Sequence, residues 1–450
     1  MSIPKLPRLL NADKSKVRLA SRKAVEEYFI RLAAAGVNDR WIDESNRYRE
    51  FATKTYDDDE RSRSVDHVAL IKYISASAPT HLIDGWSYLG RTTDAILRGD
   101  LNAAIHFAYY AELRAAMSLL ACEGIGVFNS KHPVINKNSN STSPIKNIEL
   151  WDIGSRKYKR RKASTHMSVW PLLHHWGSLE RAELLIERLI APDGYTLRQW
   201  LDALSIPWSM RAISRKWLTT WGIDLSRLTN DHDLRNMSSY RPSELRFAPA
   251  PSAPAAIKFV TDLWKLFEPT TGGRFPQIEK ELLKRVVRAS GQIITADSLV
   301  NNFGMRPAIA ADWQHYLTNS DEPQPLMLSD KNSDVDQTDC SFQIASRAAL
   351  LLFLATGSTR KLLVEAGYSS GSLDFFWHRL CEVRFDGPAD TLPDEPIDLW
   401  GGIESTISEA EAWRAEASPN ASLGEWRKEQ PAVMNQIVSL ELAAIWGLVS

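Results

Sequence analysis

Cysteine is scarce: Cys122, Cys340 and Cys381 are the only three in 450 residues. An odd number without any C-x-x-C pair excludes a zinc ribbon and a disulfide framework, and predicts buried, reduced thiols. Excess charge is missing too. With 54 Lys and Arg against 55 Asp and Glu, the net charge is -1, so nucleic acid or anionic lipid can be drawn only by local patches. The N-terminal stretch MSIPKLPRLLNADKSKVRL lacks the ~7–15-residue apolar run of a secretory leader. This predicts a cytoplasmic protein whose sequons at Asn140, Asn236 and Asn420 carry no glycan. The most apolar run, Ala348 to Gly357, falls short of the ~20 residues that cross a bilayer and predicts a core helix, with no membrane partner. No G-x-x-x-x-G-K-[ST], G-x-S-x-G or H-E-x-x-H pattern occurs, which argues against P-loop, serine-hydrolase and zincin chemistry. TTGGR (270–274) and ATGSTRK (355–361) read as turns or caps. His174 and His175 are adjacent, so they point to different faces of a helix and make a poor metal pair. No metal or cofactor is expected.

What is present is helical periodicity. Hydrophobic residues make up 44% and charged residues 24%, the balance of a chain that builds a large core, and the length suits about two to four domains. Apolar residues recur at helical spacing almost everywhere, while strand alternation is scarce, so the fold class is all-α. SRKAVEEYFIRLAAAG (21–36) has a Ser cap and a terminal Gly, and 170–194 reads as two helices broken near Gly177 and stopped at Pro192. Further helices are predicted over 67–78, 276–291, 346–355 and 434–449. Residues 129–147, rich in Asn and Ser, read as a mobile loop. RFAPAPSAPAA (246–256) reads as a stiff Pro/Ala linker, with 328–340 and 385–396 as further loops. The resulting division is an N-terminal helical segment (1–59), a bundle (60–245), the linker (246–256) and a second helical domain (257–450). The 16 tryptophans are spread from Trp41 to Trp446, which favours packing roles over a single aromatic groove.

Three polar features stand out. His106, Tyr110 and Arg114 lie four residues apart and share one face of an otherwise apolar helix. Buried there, Arg114 needs a partner from another helix, since Glu112 is off its face. The run 155–166 holds Arg156, Lys157, Lys159, Arg160, Arg161 and Lys162, with Tyr158 interleaved and no acid. Such a run attracts phosphates by counterion release, and its aromatic ring can stack on a base; the alternative is a solvated basic loop. His166 follows Arg161, pairing a proton shuttle with a phosphate-neutralising group. The third feature is DHDLRNMSSYRPSEL (231–245), with His232, Arg235, Asn236 and Tyr240. At 3.6 residues per turn Arg235 and Tyr240 lie ~140° apart, so a helix-end hydrogen-bonding cluster is the alternative to a site.

The stretch FAYYAELRAAMSLLACEGIGVFNSKHPVI (107–135) resembles a recurring helix of the HEPN superfamily of helical nucleotide-binding domains. The matching positions are Tyr109, Tyr110, Ala111, Arg114, Ala115, Ala116, Leu119, Leu120, Gly124 and His132. Catalytic members carry an Arg, a polar residue and, a few places on, a His. RNMSSY (235–240) is similar in type and chain order, with Tyr240 where the histidine belongs; Arg161 and His166 supply both residue types but lie nearer the Tyr-Tyr helix. The resemblance covers residues 60–245 and implies a HEPN-like bundle with a basic insertion. It implies a metal-independent endoribonuclease in which His166 transfers protons and Arg161 or Arg235 clamps phosphate. Tyr240, a phenol titrating near ~10, would orient substrate. The basic run and Asn236 would bind RNA rather than DNA. A homodimer and a toxin or anti-phage setting are further implications. A non-catalytic HEPN-derived subunit of a multi-component complex is the competing reading, favoured by Tyr240; a helical scaffold, favoured by the near-neutral charge, is a third. The C-terminal half would be a regulator or sensor that meets a protein partner.

Overall fold

The computed structural model describes residues 7–36, 39–138, 140–152, 154–206, 225–240, 251–270, 272–329, 340–385, 393 and 395–449. The chain is mainly α, 69% helical with a few short antiparallel strands. Strand β1 (Arg8–Leu9) leads into α1 (Asn11–Arg18) and α2 (Arg22–Ala34), the latter capped by Ser21, whose hydroxyl accepts from the Ala24 amide. After α3 (Ala52–Ser62) come the two longest early helices, α4 (His67–Arg98) and α5 (Leu101–Cys122). Gly99, at φ 75, and Asp100, which caps α5 through the Ala103 amide, turn one helix back on the other. Strands β2 (His132–Ile135) and β3 (Thr142–Ile145) form one antiparallel pair. Strands β4 (Asn147–Asp152) and β5 (Lys157–Lys162) join β1 in a sheet of order β1-β4-β5. Helices α6 (Thr165–Trp176), α7 (Glu180–Leu189), α8 (Leu197–Ala203) and α9 (Leu225–Tyr240) follow. The remaining helices are α10 (Ala253–Leu266), α11 (Pro276–Ser290), α12 (Ala296–Phe303), α13 (Pro307–Thr318), α14 (Gln324–Ser329) and α15 (Cys340–Glu365). They end with α16 (Asp374–Phe385), α17 (Leu399–Glu416), α18 (Leu423–Glu429), α19 (Pro431–Ile437) and α20 (Leu442–Val449).

The core is a three-helix contact of α4, α5 and α15. Small residues allow the close approach: a Cβ on Gly85 would lie 2.8 Å from the Leu352 side chain and 3.4 Å from the Ala115 amide. Several polar groups inside the seam are paired. Trp86 donates to Thr356 at 3.0 Å, and Ser118 donates to the Ala78 carbonyl at 2.7 Å. α15 is long and apolar enough to cross a membrane, and 89% of its apolar window is buried within the protein. Because α15 belongs to 257–450, side chains on both sides of the predicted linker share one core.

Several sequence expectations meet a different structure. Residues 129–147 are not a featureless loop: Val134, Ile135 and Ile145 are buried, and they pin the β2–β3 pair. The basic run is the edge strand β5, with Arg156 at φ 51 in the preceding turn. Within the Pro/Ala linker, 253–256 is the first turn of α10, where Pro254 loses no helical hydrogen bond, and 246–250 lie outside the described residues. The helix opening at 67–78 runs on through Pro79 to Arg98, held by α5 and α15. ATGSTRK is helix interior, where Gly357 leaves room for the Leu189 side chain. The loops predicted over 328–340 and 385–396 fall largely outside the described residues.

One buried ionic group ties α9 to this core. Arg347 of α15 donates from Nε to Glu112 of α5 at 3.2 Å and from Nη2 to Asp231 of α9 at 2.6 Å. Their side chains are 2%, 0% and 4% exposed. Burial and the Asp231 charge raise the Glu112 pKa well above its ordinary value, against the pull of Arg347. A proton on Glu112 leaves one carboxylate facing one guanidinium, a balanced set in low dielectric. Since the folded-state pKa exceeds the unfolded one of about 4.3, the native state holds an extra proton above that pH. Stability therefore falls as pH rises from there toward the raised value. Glu112→Gln should flatten this slope in urea titrations across that window while folding normally. Arg347→Met, which strands Asp231, should cost about 3–5 kcal/mol; equal midpoints for wild type and Arg347→Met would contradict the assignment.

Candidate active site

With Asp231 fixed, the next two turns of α9 present His232, Arg235, Asn236 and Ser239 at i, i+3, i+4 and i+7, one helix face. Helices α5 and α6 oppose it. From α5, His106, Tyr109 and Tyr110 stand on the facing surface, again at i, i+3 and i+4. His106 Nδ1 lies 2.7 Å from Ser239 Oγ, and Arg235 donates from Nη2 to the Tyr110 hydroxyl. The Arg235 guanidinium stacks over the Tyr110 ring at 4.8 Å and meets Tyr109 at 5.7 Å. From α6, His166 shares a 2.9 Å hydrogen bond between its Nδ1 and the Tyr109 hydroxyl. Its ring stacks on His232 at 5.1 Å, with the planes 28° apart. Asn236 accepts from Arg235 at 2.9 Å and approaches His232 Nε2 at 3.4 Å.

The electrostatics of the cluster follow from one cation among neutral rings. The described hydrogen-bond partners of Arg235, Asn236 and Tyr110, are neutral, and its buried Nε has none. Burial first, then His232 and Arg235, bring the His166 pKa down to about 4. Burial and Arg235 lower His106 in the same way, and burial lowers His232 despite the opposing pull of Asp233. Burial pushes the Tyr109 phenol far above its ordinary value. At neutral pH the site thus offers a guanidinium, neutral imidazoles and two tyrosine hydroxyls at close range. His166 Nε2 is free to take a proton in the tautomer whose Nδ1–H donates to the Tyr109 hydroxyl.

Five of the sequence candidates come together or fall apart here. His166, Arg235 and Asn236 converge. Arg161 does not: it is exposed on β5 opposite Ile148, with buried Ala163 between it and His166. Tyr240, at the end of α9, is 76% exposed and no substitute for a buried proton-transfer group. The helix places His232, not Tyr240, beside Arg235 and Asn236. His232, His106 and Tyr109 were not assigned roles from the sequence, although the spacing of His232, Arg235, Asn236 and Ser239 already marks a single face. Arg114 receives its partners from α4: His81 Nδ1 at 2.9 Å and Asp84 at 3.5 Å. His132 is buried on β2 and accepts from the Phe128 amide, a structural role. His175 turns to the Lys14 carbonyl, away from His174.

Lys157, Lys159, Arg160, Arg161 and Lys162 are exposed along β5, as is Arg156 before it. Lys159 is paired with Asp152 at 2.6 Å. Tyr158 packs against Trp151 and carries Arg8 over its ring at 4.0 Å, so this aromatic is occupied by its own sheet. The strand ends three residues before α6 begins, and so leads directly to His166.

Histidine NMR signals should show His166 staying neutral to about pH 4, and Arg235→Met should raise that midpoint by removing a nearby positive charge. A midpoint near the ordinary ~6.5 in the wild type would contradict the packed arrangement of His166, His232 and Arg235.

Comparison with protein-family models, with curated proteins and with solved structures gives no match to this chain.

Proposed function

We propose that the His166–Arg235 cluster is the site of a HEPN-like, metal-independent endoribonuclease. The observation that carries this reading is the meeting of a neutral imidazole with a guanidinium whose described hydrogen-bond partners are neutral, on two adjacent tyrosines, from helices far apart in sequence. Such a pair suits RNA self-cleavage. His166 Nε2 takes the proton of a ribose 2′-hydroxyl as its oxygen bonds to the adjacent phosphorus. Arg235 steadies the charge building on the non-bridging oxygens, and the bond to the 5′ oxygen breaks as that oxygen receives a proton from water. The products are a 2′,3′-cyclic phosphate and a 5′-hydroxyl end. RNA is the substrate because the nucleophile is its own 2′-hydroxyl. The basic edge strand supplies sequence-independent attraction along the path to His166. The resemblance adds a homodimer and a toxin or anti-phage role.

One observation favours the alternative of a non-catalytic HEPN-derived binding subunit that meets protein or nucleic acid in a multi-component complex. Tyr240 stands in place of the motif histidine and is turned out to solvent, where a partner can reach it.

Purified wild type and the single variants His166→Ala and Arg235→Ala separate the two. A ribonuclease should lose about 10²–10⁴-fold in cleavage rate with His166→Ala and a comparable amount with Arg235→Ala, at unchanged circular dichroism. RNA binding that survives both changes, with no cleavage by any form, supports the binding subunit instead.

A further inference from the structure

We propose that the pocket beside the cluster receives one base of the RNA strand, guanine foremost, and so places the cut next to a preferred nucleotide. The inference rests on the ribonuclease reading for its catalytic consequence, though not for the binding itself. The cavity, about 290 Å³, lies between α3, α4, α5, the turn at 126–129 and the start of α6. Tyr110 and His166 belong both to this cavity and to the cluster. A nucleotide with its phosphate at Arg235 therefore has this cavity as its nearest shelter. Its volume is at the lower end of ligand pockets, about 300–1,000 Å³, and suits a single base.

The walls suit an aromatic ring. Leu113, Met117 and Val127 supply apolar lining. Phe128 is held edge-on by Tyr56 at 5.4 Å and Tyr73 at 5.7 Å. A ring fixed in this way offers a stacking surface at little entropic cost.

The charge balance favours a base over a second phosphate. Arg114 is the cation of the lining, and Asp84 stands 3.5 Å from its Nη1. Burial and Arg114 together hold the His81 pKa down to about 3, and His166 is neutral as well. Little net positive charge is left for an anion. The polar edge is rich in donors. Because a guanidinium only donates, its bond to His81 Nδ1 fixes the His81 tautomer with the proton on Nε2. Both described contacts of Arg114 use Nη1 and its Nε is sealed from solvent, which leaves Nη2 as the guanidinium nitrogen with no described contact. The two N–H groups of Nη2 suit the O6 and N7 acceptors of guanine, the base edge that arginine most often meets.

The test uses the full chain and nucleosides without phosphate. Guanosine, adenosine, cytidine and uridine are titrated into wild type, Met117→Trp and Arg114→Met, and the cut ends of a mixed-sequence RNA are mapped for the same proteins. Guanosine should bind wild type about 10-fold or more tightly than the other three. Arg114→Met should level the four, and Met117→Trp, which fills the lining, should abolish binding at an unchanged melting temperature. Cuts by wild type should cluster beside guanine. If Met117→Trp does not fold, the levelling by Arg114→Met decides. Wild-type cleavage without base preference, together with equal binding of all nucleosides, overturns the pocket and leaves the ribonuclease standing. Selective guanosine binding without any RNA cleavage sustains the pocket and removes the ribonuclease.

Discussion

Everything at the candidate site depends on the buried group Glu112–Arg347–Asp231. Between residues 230 and 240 of α9 the fully buried positions are Asp231, Arg235 and Ser238, all polar, with Leu234 half-buried against the core. This stretch of the helix docks chiefly through its ionic and hydrogen-bonding partners. A buried ion pair contributes modestly to net stability because desolvation offsets its attraction, but it tolerates only one geometry. Here that geometry sets the rotation of α9 about its axis. With Asp231 directed at Arg347, the face carrying His232, Arg235 and Asn236 is directed at His166 and the two tyrosines. The far half of the chain thus takes part in the site, because α15 supplies the arginine.

The same constraint explains what could be read from the sequence. Helices announced by caps and breakers were legible: Ser21 before α2, Gly177 between α6 and α7, Pro276 and Gly291 around α11. The line of His106, Tyr110 and Arg114 was legible as a seam, and each of the three does reach another helix. The strands were not, because β5 is charged on both faces and β2 is buried at every position, so neither alternates. The convergence of His166 with Arg235 was hidden for a different reason: it is created by tertiary packing between segments whose local patterns carry no mutual information. One usable signal was overlooked. Arg347 is the one charge in the apolar stretch 340–359, and such a residue demands a buried carboxylate; Glu112 on another mostly apolar helix is its natural counterpart.

The basic strand and the cluster divide the labour that the residue types suggested for a single site. β5, at the sheet edge, carries exposed cations, which discourage edge-to-edge pairing with another chain and, in the proposed ribonuclease, would draw the RNA. The cluster, reached within a few residues, is half-buried and holds its imidazoles neutral. In the proposed ribonuclease this separation keeps His166 away from the densest positive charge and leaves Arg235 as the cation beside it. A net charge near zero is compatible with this design, because the attraction is local.

The most direct test is the chemistry of the ends. Purified protein would be incubated with a defined RNA oligonucleotide and with the same oligonucleotide bearing 2′-O-methyl groups, and the products weighed by mass spectrometry. The account predicts 2′,3′-cyclic phosphate and 5′-hydroxyl ends from the first and no cleavage of the second. Intact RNA in both, or products with 5′-phosphate ends, would contradict it.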